Sequence, residues 1–148
     1  MSIPPFDHRG LLPAGVHVAP WAEVCSRYGW TEHRLKLLSG LRQALMSLKK
    51  AGCKRVYLDG SFVTAKEHPG DFDGCWEEAG VDPRKLHPVL LKFEAKRAAQ
   101  KAVFGGEMFP ASAAADTLRS PFVRFFQTDK ATGDAKGIVR IDLTEWEP

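Results

Sequence analysis

The chain predicts an α/β fold of the α+β kind, a small mixed sheet covered on one face by helices. Two observations predict it. Leucines 35, 38, 41, 45 and 48 recur at helical spacing and draw one apolar stripe along a single helix. Three short runs, about 55–59, 71–76 and 138–143, are bounded by turn residues and read as strands. At 148 residues the chain suits one domain, expected to span 1–148, and is long enough to build a core without staples.

Residues of about 1–19 hold Pro4, Pro5, Gly10, Pro13 and Gly15 and read as an extended arm. Phe6, Leu11, Leu12 and Val16 give that arm apolar groups to lay along the domain. Pro20 suits a first helical position, opening a short helix that ends near Gly29. Thr31 is a candidate N-cap of the long helix, with Glu32 in its first turn. Lys49 and Lys50 suit its C-terminus, and Gly52 the position beyond. The strand of 55–59 ends at Gly60, and a loop over 62–70 closes with Pro69-Gly70. Asp82-Pro83 opens a helix towards residue 91, with a break or kink at Pro88. A further helix is expected over about 93–103, ending at Gly105-Gly106. Residues 107–121 look irregular, and Phe122, Phe125 and Phe126 have helical spacing. Ile138 to Leu143 is a β-branched strand.

Lys and Arg number 21 against 18 Asp and Glu, a net charge of +3 that is too small to argue for nucleic-acid binding by itself. Cys25, Cys53 and Cys75 form no Cys-x-x-Cys pair and read as reduced thiols of a cytoplasmic protein. The N-terminus lacks the basic and apolar regions of a signal peptide, and no apolar run approaches membrane-spanning length, so no membrane partner is expected.

The chemistry concentrates between residues 56 and 76. Residues i and i+2 of a strand share a face, so Asp71 and Asp73 project together while Phe72 turns to the core. Adjacent carboxylates repel, and a divalent cation is the usual reason to tolerate them. The Gly60-Ser61 turn, ten residues before Asp71, can offer backbone N–H groups and a hydroxyl to phosphate oxygens. In the last strand Asp142 shares a face with Ile138 and Arg140. If that strand lies beside the Asp71–Asp73 strand, three carboxylates make a site for two magnesium ions.

Gly60-Ser61, then Asp71-x-Asp73, then a later apolar strand carrying Asp142, resembles the pattern of the nucleotidyltransferase superfamily shared with DNA polymerase beta. The short length is similar to its minimal bacterial-type members, which include partners in toxin–antitoxin pairs. Three segments, Leu11 to His17, Asp59 to Lys66 and Lys136 to Leu143, resemble more closely an uncharacterised family of small nucleotidyltransferase-like proteins. The resemblance implies the minimal nucleotidyltransferase fold and a Mg²⁺-dependent transfer of NMP from an NTP to an acceptor hydroxyl. It implies that Gly60 and Ser61 hold the β- and γ-phosphates, that Asp71 and Asp73 bind both metals, and that Asp142 binds the catalytic metal and serves as the base-like carboxylate. The chain departs from the pattern after the serine, where Phe62 to Lys66 replace a small or basic residue; Lys66 could supply the missing cation over the triphosphate. The acceptor could be RNA, a protein side chain or a small molecule.

Each assignment has an ordinary alternative. Asp71 and Asp73 could sit in a solvated edge strand, Gly60-Ser61 in a plain tight turn, and Asp142 in a salt bridge with a nearby Arg or Lys. Glu107 could join the site or lie in an exposed loop. Lys92, Lys96, Arg97 and Lys101 could contact phosphate or nucleic acid, or form a solvated helical face. The five histidines show no metal-ligand spacing, and only His68 lies near the proposed site. The four tryptophans are expected in the core or at its rim. A module of the same fold without catalysis, or an antitoxin-like protein partner, is the alternative function.

Overall fold

The computed structural model describes residues 2–116 and 118–148. Five strands form one mixed sheet in the order β1-β5-β2-β3-β4. They are β1 (Gly15–Val18), β2 (Arg55–Asp59), β3 (Phe72–Trp76), β4 (Gly106–Pro110) and β5 (Gly137–Asp142). β5 runs parallel to β1 and antiparallel to β2, while β3 runs antiparallel to β2 and parallel to β4. The α+β class predicted from the sequence is therefore the one observed.

Alternation along the strands divides the sheet into two unlike faces. Val56, Leu58, Phe72, Met108, Val139 and Ile141 point to one face and join the main core. Helices α1 (Trp21–Tyr28) and α2 (Glu32–Lys50) cover it. Leu38, Leu41, Leu45 and Leu48 of the expected stripe are buried, together with Leu37 and Ala44. Leu35 is not, being 53% exposed; Arg34 takes the inward position one residue earlier. Thr31 caps α2 as expected, its Oγ1 accepting from the Arg34 N–H at 3.0 Å.

The second face carries Tyr57, Cys75, Phe109 and Ile138, covered by the short α4 (Phe122–Phe125) with Ala111 and Phe126. α3 (Glu94–Phe104) flanks the free edge of β4. Its buried Gln100 accepts from the Met108 N–H at 2.9 Å, satisfying a donor on that edge. The first turn of α3 is unusual. Ala95, Lys96 and Arg97 have φ of 52°, 55° and 61°, a left-handed turn built without glycine.

Three expectations need correction. The arm contains an edge strand, β1, because the backbone of Gly15–Val18 pairs in parallel with β5. Residues 82–91 form two single 3-10 turns, Pro83–Lys85 and Pro88–Leu91, because Pro88 has no N–H to continue a helix. Residues 107–110, read as irregular, belong to β4.

Candidate functional site

Strand register builds the site. Asp59, the last residue of β2, lies opposite Asp73 in β3, and Asp73 lies opposite Glu107 in β4. One row across three strands thus carries three carboxylates on the α4 face. Asp71, just before β3, adds a fourth. Ligand oxygens of Asp71, Asp73 and Glu107 all fall within 4.8 Å of one another.

Gly60 is fixed by this crowding. Its φ is +76°, and a Cβ there would stand 2.1 Å from Asp73 Oδ2. Only glycine lets the backbone turn so close to a carboxylate. The 3-10 turn Ser61–Val63 follows, and Arg34 pins it from beneath. The buried guanidinium donates to the carbonyl oxygens of Phe62 at 2.7 Å, Thr64 at 2.9 Å and Lys66 at 2.6 Å, and to Tyr28 at 3.3 Å. Among the described residues it has no carboxylate partner, and burial lowers its pKa to about 10.

Gly60, Ser61, Asp59, Asp71, Asp73 and Glu107 line a cavity of about 530 Å³. Phe109, Phe122, Phe125 and Phe126 form its apolar wall, and Arg97, Lys130 and Lys136 its cations. Arg97 Nε donates to Glu107 Oε2 at 2.7 Å, and Lys101 Nζ lies 3.6 Å from the same oxygen and 3.8 Å from Asp71 Oδ2. On the far side, Lys136 Nζ stands 3.4 Å from Asp59 Oδ1, an ion contact that leaves this buried oxygen without a hydrogen bond.

Burial, then repulsion from Asp71 and contact with Glu107, pushes the Asp73 carboxyl up to about 8. Burial also raises Asp71, with Glu107 adding to it, and raises Asp59 against the pull of Lys136. Burial works against ionisation of Glu107 as well, but the hydrogen bonds from Arg97 and Asp73 hold it below its ordinary value. Burial and the neighbouring carboxylates thus oppose ionisation of the whole cluster, and Asp73 is the member pushed upward. Hard oxygen ligands this close, whose joint ionisation is opposed by burial and mutual repulsion, fit a divalent cation.

The structure brings together Gly60, Ser61, Asp71 and Asp73, and it separates two expected members. Asp142 lies opposite Arg55, at the far end of β2 from Asp59. Four residue steps along the strand, about 13 Å, separate the two positions. Its carboxylate instead accepts from Arg140 at 2.9 and 3.3 Å, with Arg55 3.9 Å away. Lys66 is exposed and is not among the residues lining the cavity; its carbonyl serves Arg34. Glu107 lies beside Asp71 and Asp73 where Asp142 was expected, and Lys136, Lys130 and Arg97, not Lys66, line the cavity.

A model of a family of unknown function, DUF6932, matches residues 4–142. The chain belongs to DUF6932. All five strands and the acidic row of this DUF6932 chain fall inside the matched span. No curated protein and no solved structure matches it. Among the described residues of the DUF6932 chain, no helix is long and apolar enough to cross a membrane.

Proposed function

We propose that the protein is a divalent-cation-dependent nucleotidyltransferase that moves NMP from an NTP to an acceptor hydroxyl. The observation that carries this reading is the convergence of Asp71, Asp73 and Glu107 beside the Gly60-Ser61 turn at the mouth of one cavity. Asp71, Asp73 and Glu107 would hold the cation, with Mg²⁺ the natural choice for carboxylate ligands and phosphate substrates. A cation bound there supplies charge neutralisation at the phosphates and acidifies the acceptor hydroxyl. The Gly60-Ser61 backbone, held by Arg34, offers a rigid edge to the polyphosphate. Lys136 and Lys130 contribute positive charge on the same wall. The acceptor oxygen forms its bond to the α-phosphorus as the bond to pyrophosphate breaks, and the hydroxyl proton passes to a cavity carboxylate. Three free thiols favour a cytoplasmic setting.

Transfer of α-labelled NTP in lysate tests the proposal. Labelling should vanish in Asp73→Ala and Glu107→Gln and persist in Asp142→Asn; labelling that survives Asp73→Ala refutes the assignment.

One observation favours a second reading, a binding module or antitoxin-like partner without catalysis. Arg97 and Lys101 already neutralise part of the acidic cluster. Calorimetry separates the two: the enzyme binds Mg-ATP or Mg-GTP, while a module co-purifies with a protein partner and binds neither.

A further inference from the structure

Next to the acidic cavity lies a second, mainly apolar slot of about 310 Å³, walled by Phe93, Phe109, Phe122, Pro110 and Ala114. The two spaces are contiguous: Arg97, Phe109 and Phe122 line both. The slot is built from ring faces. Phe109 and Phe122 stack with centroids 4.0 Å apart and planes 8° apart. Phe93 lies nearly parallel to Phe109, at 14°, but with centroids 6.1 Å apart. Phe93 also remains 37% exposed, a large apolar ring left accessible beside a polar site. At the junction the Arg97 guanidinium sits 5.4 Å from the Phe109 ring while its Nε is bound to Glu107.

We propose that this slot seats the nucleobase of the nucleotide whose phosphates lie at the Asp71–Asp73–Glu107 end. This rests on the nucleotidyltransferase reading of that cluster. The occupant follows from shape and position. Phe109 and Phe122 already cover each other, and Phe93 stands closer to Phe109 than the roughly 7 Å that a sandwiched ring needs, so the base stacks on the accessible Phe93 ring. The volume lies at the lower end of small-molecule sites, about 300–1,000 Å³. Continuity with a cation-binding carboxylate cluster calls for a molecule that is aromatic at one end and anionic at the other. Arg97, shared by both spaces, is placed to meet the link between base and phosphates. The slot also says something about selectivity. Among the described residues its one charged side chain is engaged with Glu107, and no other polar side chain lines it. Stacking without edge-reading side chains tolerates every base, since each has a π-face. The protein therefore takes purine and pyrimidine nucleotides with little discrimination.

Equilibrium binding on the full chain, in Mg²⁺, tests this with ATP, GTP, CTP, UTP and inorganic tripolyphosphate. The four nucleotides should bind within about threefold of one another, each about tenfold more tightly than tripolyphosphate. Phe93→Ala should erase that advantage and leave tripolyphosphate binding unchanged. Phe93→Trp should keep the advantage and report the stacked base as quenching of its fluorescence; Phe93→Ala should melt within a few degrees of the parent. Nucleotides that bind no better than tripolyphosphate, or an advantage that survives in Phe93→Ala, overturn the slot alone. One base favoured tenfold overturns the claim of tolerance. Failure of tripolyphosphate and nucleotides alike to bind, with Asp73→Asn no different, overturns the phosphate-end reading and the slot with it.

Discussion

A methyl group at residue 60 would meet a carboxylate oxygen at 2.1 Å on a backbone already at φ +76°. Gly60→Ala is expected to lose about 1–3 kcal/mol in denaturant titrations and to abolish nucleotide transfer, because relief requires moving Asp73. Arg34 is the second residue on which the turn depends. Arg34→Met leaves four carbonyl oxygens without their donor, and a loss of about 3 kcal/mol or more is expected. Arg34→Lys should rescue little, since one ammonium cannot span four divergent acceptors. Asp73 gives the molecule a pH signature. Its ordinary value is 3.8, whereas the folded chain keeps the proton up to about 8. The native state therefore binds more protons across that interval, and stability of the cation-free protein falls as pH rises through it. Thermal melts should show this fall, show Mg²⁺ reversing it near pH 8, and show Asp73→Asn removing both effects. A wild-type melting temperature flat from pH 5 to pH 8 would contradict the burial of that proton.

The left-handed opening of α3 makes a prediction of its own. Each non-glycine residue in that conformation costs about 1–2 kcal/mol. Lys96 is exposed with φ 55°, so Lys96→Gly should stabilise the protein by about 0.5–1 kcal/mol by chemical denaturation. Arg97 belongs to the same turn, and the turn is what delivers its guanidinium to Glu107. The elements also show what could be foreseen. α2, β2, β3 and β5 announced themselves by apolar periodicity, and Asp71 and Asp73 were legible because spacing alone puts both on one face. Glu107 was harder. Five-residue β4 begins at Gly106 and shows a single alternation, Met108 inward against Glu107 and Phe109 outward. That signal is visible afterwards but too short to outweigh the irregular stretch after it. Asp142 failed for a different reason. Its face was read correctly, but register along β2 is a long-range property that period-two patterning does not encode. Asp59 was overlooked as the end of an apolar strand, although Tyr57 and Asp59 alternate with Val56 and Leu58 and so share the α4 side of the sheet, where Asp59 lines the cavity.

At the scale of the molecule, the sheet separates two tasks. One face is packed against α1 and α2; the other holds acidic side chains, aromatic rings and the cavity. The N-terminal arm is part of the packed half, with Ile3 and Leu12 buried to 1% and 2% exposure. Removing residues 2–18 would delete both, uncover the core they pack against and bare the edge of β5. A loss of at least about 3 kcal/mol is expected in urea titrations, together with aggregation through the exposed strand. A truncated chain that unfolds at the parental midpoint would show the arm to be ornamental.

The pairing of Gly15 with Gly137 has a consequence for biosynthesis. The ribosome extrudes the first strand long before its neighbour exists, and that neighbour also bridges to β2. Translation thus withholds the keystone of the sheet while earlier segments wait in the nascent polypeptide with sticky edges. Closure waits for that late strand and is governed by a distant contact, which slows it and lengthens the interval in which chaperones are needed.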